Sequence, residues 1–204
     1  LAGGAKVCFT ATLKGASTDI VHGDTVKRRL VGYLGHDGKT GCGAKFTNIR
    51  VVCQNTLSAA LAGSGAQRSI THKRGANLSF DKLITSINIA RQSFEEECEY
   101  MREFASRSMN RDGFREFVNT VYNVTDEDIF RKRQSLERAF NWGMGAEFAP
   151  NSIWNAVNAV TEIETSTRNK TAANARKQFA RANFGVGLEY SRKATELAKQ
   201  LVNA

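Results

Sequence analysis

Residues 5–14, AKVCFTATLK, set Val7, Phe9, Ala11 and Leu13 against polar neighbours, the two-residue period of a half-buried strand. The polar stretch 15–24, with Asp19 and Gly23 as turn formers, predicts a connection. Alternation resumes over 25–34, TVKRRLVGYL, with Val26, Arg28, Leu30 and Gly32 on one face and Lys27, Arg29, Val31 and Tyr33 on the other. His36-Asp37-Gly38 supplies an Asp-Gly hairpin signal before a third strand over 42–52. Three antiparallel strands in a meander are expected.

The period then changes. Residues 53–62, CQNTLSAALA, predict a helix of two or three turns that stops at Gly63-Ser64-Gly65, and 68–73 predict a further strand. From 78 to 109, Leu83, Ile87, Ala90, Phe94, Cys98, Met101 and Phe104 recur at helical spacing. Shorter helices are expected over 114–124, over 129–142 behind a Thr125/Asp128 capping box, over 153–165 after Pro150-Asn151-Ser152, and over 170–182 and 187–202. The fold class is α+β: an N-terminal antiparallel β-meander followed by a mainly helical C-terminal part. Residues 1–75 form a basic sheet with a short helix, and 76–204 a helical region packed on it, in one continuous domain.

A chain of 204 residues, 41% of them hydrophobic, has enough apolar material for a core, which excludes a disordered or collagen-like chain. Apolar runs such as 57–62 are too short to span a membrane, so no membrane partner is expected. No signal peptide is visible, and an opening Leu1 rather than Met predicts a trimmed chain. Cys8, Cys42, Cys53 and Cys98 form no C-x-x-C and no close pair with His22, His36 or His72. Reduced thiols and no metal site or other cofactor are therefore expected.

Charge changes the picture more. The net +9 is held within residues 1–92, which carry 13 basic and 4 acidic residues. Residues 93–162 sum to −5 and residues 163–204 to +5. Such asymmetry suits a polyanionic partner, or head-to-tail self-assembly of unlike faces. Glu95-Glu96-Glu97 opens the acidic block and reads most simply as a solvated helix face.

Lys27, Arg28, Arg29, Lys39, Lys45 and Arg50, with Lys73 and Arg74 beyond them, are the candidate nucleic-acid contacts. Cations track phosphates while rings stack bases. Tyr33 is the expected stacker, with Phe9 and Phe46 packed beneath the helices. Asn55 or Thr56 would cap the 57–62 helix; with Arg50 the same helix start could hold a phosphate. On the 153–165 helix, Trp154, Val157 and Val160 read as core, and Asn155, Asn158 and Glu162 as a polar stripe of hydrogen-bond ties rather than catalytic groups. There is no P-loop, no H-E-x-x-H and no G-x-S-x-G, so a non-enzymatic role is expected. A metal-dependent DNA-processing enzyme using scattered ligands such as His22, His36 or His72 is the third reading.

The run Arg50-Val51-Val52-Cys53-Gln54-Asn55-Thr56-Leu57, the turn His36-Asp37-Gly38, the segment Ile70-Thr71-His72 and the run Trp154-Asn155-Ala156-Val157-Asn158-Ala159-Val160-Thr161-Glu162 resemble the phage/plasmid-like proteins, a family with a shared uncharacterised domain. Phe184-Gly185 followed by Lys193-Ala194 is similar to that family's closing segment. The likeness covers nearly the whole chain. It departs at Lys73, where a Thr is usual, and at Ile163-Glu164-Thr165, where an aromatic-plus-His pair is usual. A missing N-terminal portion is also expected. The resemblance implies mobile-element DNA and a bacterial host cytoplasm. Element order alone is also similar to that of Red-beta-type single-strand annealing proteins. The expected function is therefore non-enzymatic binding of nucleic acid, single-stranded DNA favoured, in replication, recombination or DNA protection, by a homo-oligomer. The alternative is a structural or assembly protein that forms rings or filaments without nucleic acid.

Overall fold

The computed structural model describes residues 6–35, 42–51, 56–57, 68–70, 80–124, 130–165, 174, 177–178, 181–182 and 185–204. Strands β1 (Lys6–Val21), β2 (Asp24–Gly35) and β3 (Cys42–Arg50) pair antiparallel in sequence order. The register sets Phe9 against Gly32, Leu30 against Phe46, Arg28 against Asn48 and Val26 against Arg50. Two short strands, β4 (Thr56–Leu57) and β5 (Arg68–Ile70), share the outer edge of β3.

Two expectations change here. The polar stretch after residue 14 is not a loop: β1 runs on to Val21 through an irregularity between Thr12 and Ser17. Gly15 lies there at φ 80°, a left-handed conformation that glycine adopts without a Cβ penalty. The extra residues let the strand bend while Ala16 and Ile20 stay on the core side, so the turn tightens to Val21–Asp24 around Gly23. Likewise Thr56 and Leu57 are strand, not helix: pairing with Ile49 and Asn48 overrides the Ala/Leu-rich composition that follows. The rest of that expected helix, the 36–38 turn, the capping box at 125–128 and most of 170–182 lie outside the described residues.

Beyond the sheet come α1 (Phe80–Ser106), α2 (Arg111–Tyr122), α3 (Phe130–Trp142), α4 (Ile153–Thr165) and α5 (Val186–Asn203). Helix α1 buries Ala90, Phe94, Cys98, Met101 and Phe104 at three-to-four spacing, the stripe that the sequence predicts, and Glu97 beside them. Phe46 packs with Ala90 and with the partly buried Leu13, Leu30 and Ile87, fixing α1 over the inner face of the sheet. Phe9, by contrast, is 57% exposed. Its ring lies over Gly32 of the neighbouring β2, where a Cβ would meet it at 2.1 Å, so it covers backbone rather than entering the core.

Helix α4 is buried from Ile153 to Thr161. Ser152 caps it, accepting from the Asn155 backbone N–H at 3.1 Å. Small residues Gly187, Ser191, Ala194, Thr195 and Ala198 let α5 pack closely against α4. Among the described residues no helix is long and apolar enough to cross a membrane.

Candidate functional site

The inner face of the sheet carries two arginines where a core would normally be apolar. Arg28, 0% exposed, forms a two-point ion pair with Glu97 of α1, Nη1 to Oε2 at 2.6 Å and Nη2 to Oε1 at 3.1 Å. It also donates to Asn48 Oδ1, Ser93 Oγ and the Ala90 carbonyl, while Asn48 Nδ2 donates to the same Glu97 carboxylate. The planar guanidinium suits this geometry, since its donors match both carboxylate oxygens at once.

One end of the sheet holds the second tie. Arg50 donates through Nε and Nη2 to the two oxygens of Asp24, at 2.6 and 2.7 Å. Trp154 Nε1 donates to Asp24 Oδ2 at 2.8 Å, and the guanidinium lies 5.6 Å from the indole centroid. Arg50 then reaches beyond the sheet to the Gly145 carbonyl at 2.7 Å and the Met144 carbonyl at 3.3 Å. Gly145 is at φ 82°, and a Cβ there would meet Arg50 Nη2 at 2.8 Å, so both conformation and space require glycine.

The loop between α3 and α4 is held from α4 as well. Glu162 accepts from the Met144 backbone N–H; burial raises its pKa above the usual 4.5 against the opposing effects of that bond and of Arg50. Asn158, one turn before it, donates to the Trp154 carbonyl and leaves its buried Oδ1 unpaired. Arg50 and the 154–162 helix, about a hundred residues apart in the chain, thus belong to one cluster. A family model described as Domain of unknown function (DUF932) matches residues 1–201.

The chain belongs to the DUF932 family. No curated protein and no solved structure matches it.

In this DUF932 chain the expected contact residues divide sharply. Arg28 and Arg50 are corrected: each is buried and neutralised by a carboxylate, so neither faces a polyanion. Their partners, Glu97 and Asp24, sit 69 and 26 residues away in sequence, which is why strand alternation alone reads them as surface cations. Glu97 is a correction too: only Glu95 and Glu96 of that acidic run are exposed. Lys27 and Arg29, on the opposite side of β2, are partly exposed, with no ion pair to another described residue. The backbone register places Tyr33 and Lys45 on that same side. That side is not a bare platform, because Val31, Thr47 and Ile49 on it are buried. Lys39, Lys73, Arg74, His36 and His72, and the side chains of Tyr33 and Lys45, lie outside the described residues. His22 is exposed at the tight turn.

A third buried carboxylate joins the helices. Glu164, 1% exposed, accepts from Tyr122 Oη at 2.9 Å, Lys132 Nζ at 2.7 Å and Arg181 Nη2 at 2.7 Å. Burial pushes its pKa up, but Lys132 and Arg181 outweigh that and hold it below 4.5. Asn155 donates to the Phe140 carbonyl at 2.6 Å, tying α4 to α3, so Asn155 is a structural tie as its helix position predicts. Of the polar groups gathered around α4, Glu162 alone combines partial exposure with a raised pKa, and the sequence marks it only by its place in the polar stripe.

Proposed function

We propose that this chain is a non-enzymatic nucleic-acid-binding protein, favouring single-stranded DNA, that serves a phage, plasmid or other mobile element in the cytoplasm of a bacterial host. Replication, recombination or protection of that DNA is the role in view. The supporting observation is the basic excess of residues 1–92, of which the two buried pairs consume little. Burying Arg28 against Glu97 and Arg50 against Asp24 leaves eleven basic and three acidic residues unaccounted for in residues 1–92. Arg28 and Arg50 serve the architecture, while Lys14, Lys27, Arg29 and Arg91 are at least partly exposed among the described residues. Lys27 and Arg29 are among these cations, about 6.7 Å apart along one strand face. Cations so placed bind phosphates without reading sequence.

Polarisation titrations of the full chain against single- and double-stranded oligonucleotides at two salt concentrations test this reading. Tighter binding to single strands, weakened by salt, is expected; no binding to either at low salt removes the proposal. Self-association into rings or filaments is the rival reading, and assembly by light scattering with no oligonucleotide binding would favour it.

A further inference from the structure

We propose that the outward face of α3, with Trp142 at its end, is a surface on which bases of a single-stranded nucleic acid stack; this rests on the nucleic-acid reading above and names its aromatic contact. Trp142 is the last residue of α3 and is 85% exposed, whereas tryptophan in folded proteins is largely buried. Backbone immediately after the indole is fixed. The Gly143 N–H donates to the Ala139 carbonyl at 2.9 Å, and Arg50 and Glu162 hold residues 144 and 145 from two sides. A Cβ at Gly143 would lie 2.3 Å from the Ala139 carbonyl oxygen and 2.7 Å from Glu162 Oε2, so the turn is tight against both elements. An aromatic ring carried on a backbone already ordered loses little entropy when a partner covers it.

Charge beside the ring selects the partner. Arg138 is exposed one turn before Trp142 on the same helix face, with no ion pair to another described residue. The α3 sequence, FRKRQSLERAFNW, contains one acid, Glu137. Two arginines of α2 engage it, Arg115 at 3.1 Å and the largely exposed Arg111 at 3.4 Å. With Glu137 held by α2 and Glu162 turned to the Gly143 side, Arg138 is the cation that shares the helix face of the indole. A partner with flat π faces and regular negative charge fits this pair: the indole stacks a base, and Arg138 meets a phosphate.

The test uses the full chain and a fluorescein-labelled oligo(dT) at low salt. Tryptophan emission is recorded in parallel. There are only two tryptophans and Trp154 is 1% exposed, so quenching on binding reports Trp142. Expected is quenching in the wild type and an affinity loss of about 5- to 150-fold for Trp142→Ala, the range of one stacked base, with the salt dependence unchanged. Trp142→Phe should keep most of the affinity, and both variants should melt with the wild type because the ring is exposed. Arg138→Ala should instead reduce the salt slope by about 0.7. Wild-type binding that Trp142→Ala leaves intact overturns the inference while the functional reading stands. Wild-type failure to bind overturns both. If Trp142→Ala changes only the mass seen by light scattering, the face joins copies of this chain, and the inference falls.

Discussion

Arg50 is the residue for which the sequence and the folded chain give opposite expectations, and replacing it separates them. As a phosphate contact it could be removed with loss of binding and no loss of stability. In the fold it is 1% exposed, and removing it leaves Asp24, 0% exposed, with Trp154 Nε1 as its remaining side-chain donor among the described residues. Breaking one side of a buried ion pair costs about 3–5 kcal/mol, because the surviving charge stays desolvated. The Met144 and Gly145 carbonyls lose their donor as well, although the exposed Met144 lets water reach that side of the loop. With a urea slope of about 2–3 kcal/mol/M, Arg50→Ala should lower the unfolding midpoint by roughly 1–2.5 M. Arg50→Lys keeps the charge, but one ammonium cannot span both Asp24 oxygens and two carbonyls, so it should recover less than half of that loss. Equilibrium urea unfolding followed by circular dichroism measures both. An unchanged midpoint for Arg50→Ala would refute the buried clasp and return Arg50 to the surface.

Glu97→Ala should destabilise by a similar amount, about 3–5 kcal/mol, and the double variant Arg28→Met/Glu97→Leu should regain most of it in thermal melts, since no buried charge is then left unpaired. Because Glu164 has a lowered pKa in the fold, its stabilising contribution is present above 4.5 and is lost as pH falls through its folded value; Glu164→Gln should flatten the acid limb of a stability–pH profile in that range. Burial, with Glu95 adding to it, pushes the Cys98 thiol up to about 12, so peptide mapping after alkylation at pH 8 should find Cys98 unmodified in the native chain and modified in urea.

Much of the architecture is local in origin and could be read as such. Alternation over 25–34 and the stripe from Ala90 to Phe104 place β2 and α1 within a few residues of their observed bounds, and Pro150-Asn151-Ser152 marks the start of α4, whose observed Ile153–Thr165 span agrees. Features decided by distant partners could not be read in this way. A bulge at Gly15 carries β1 through residues that read as a turn, and β3 claims Thr56 and Leu57 as strand. For the site, strand alternation puts Arg28 on the face of Val26 and Leu30, but whether an arginine there is solvated or paired depends on Glu97, on another element 69 residues away. Trp142 is the opposite case: the sequence pattern marks it only as the end of a helix, and its exposure emerges in the fold.

The measurement closest to the central claim is the salt dependence of oligo(dT) binding by the wild type and by Lys27→Ala/Arg29→Ala, two partly exposed positions on the side of β2 facing away from Arg28. Each phosphate contact contributes about −0.7 to the slope of log K against log salt on a single strand. The account predicts a negative wild-type slope that becomes shallower by about 1.4 in the double variant, with the melting temperature unchanged. A flat wild-type plot, or a slope identical in the two proteins, would contradict it.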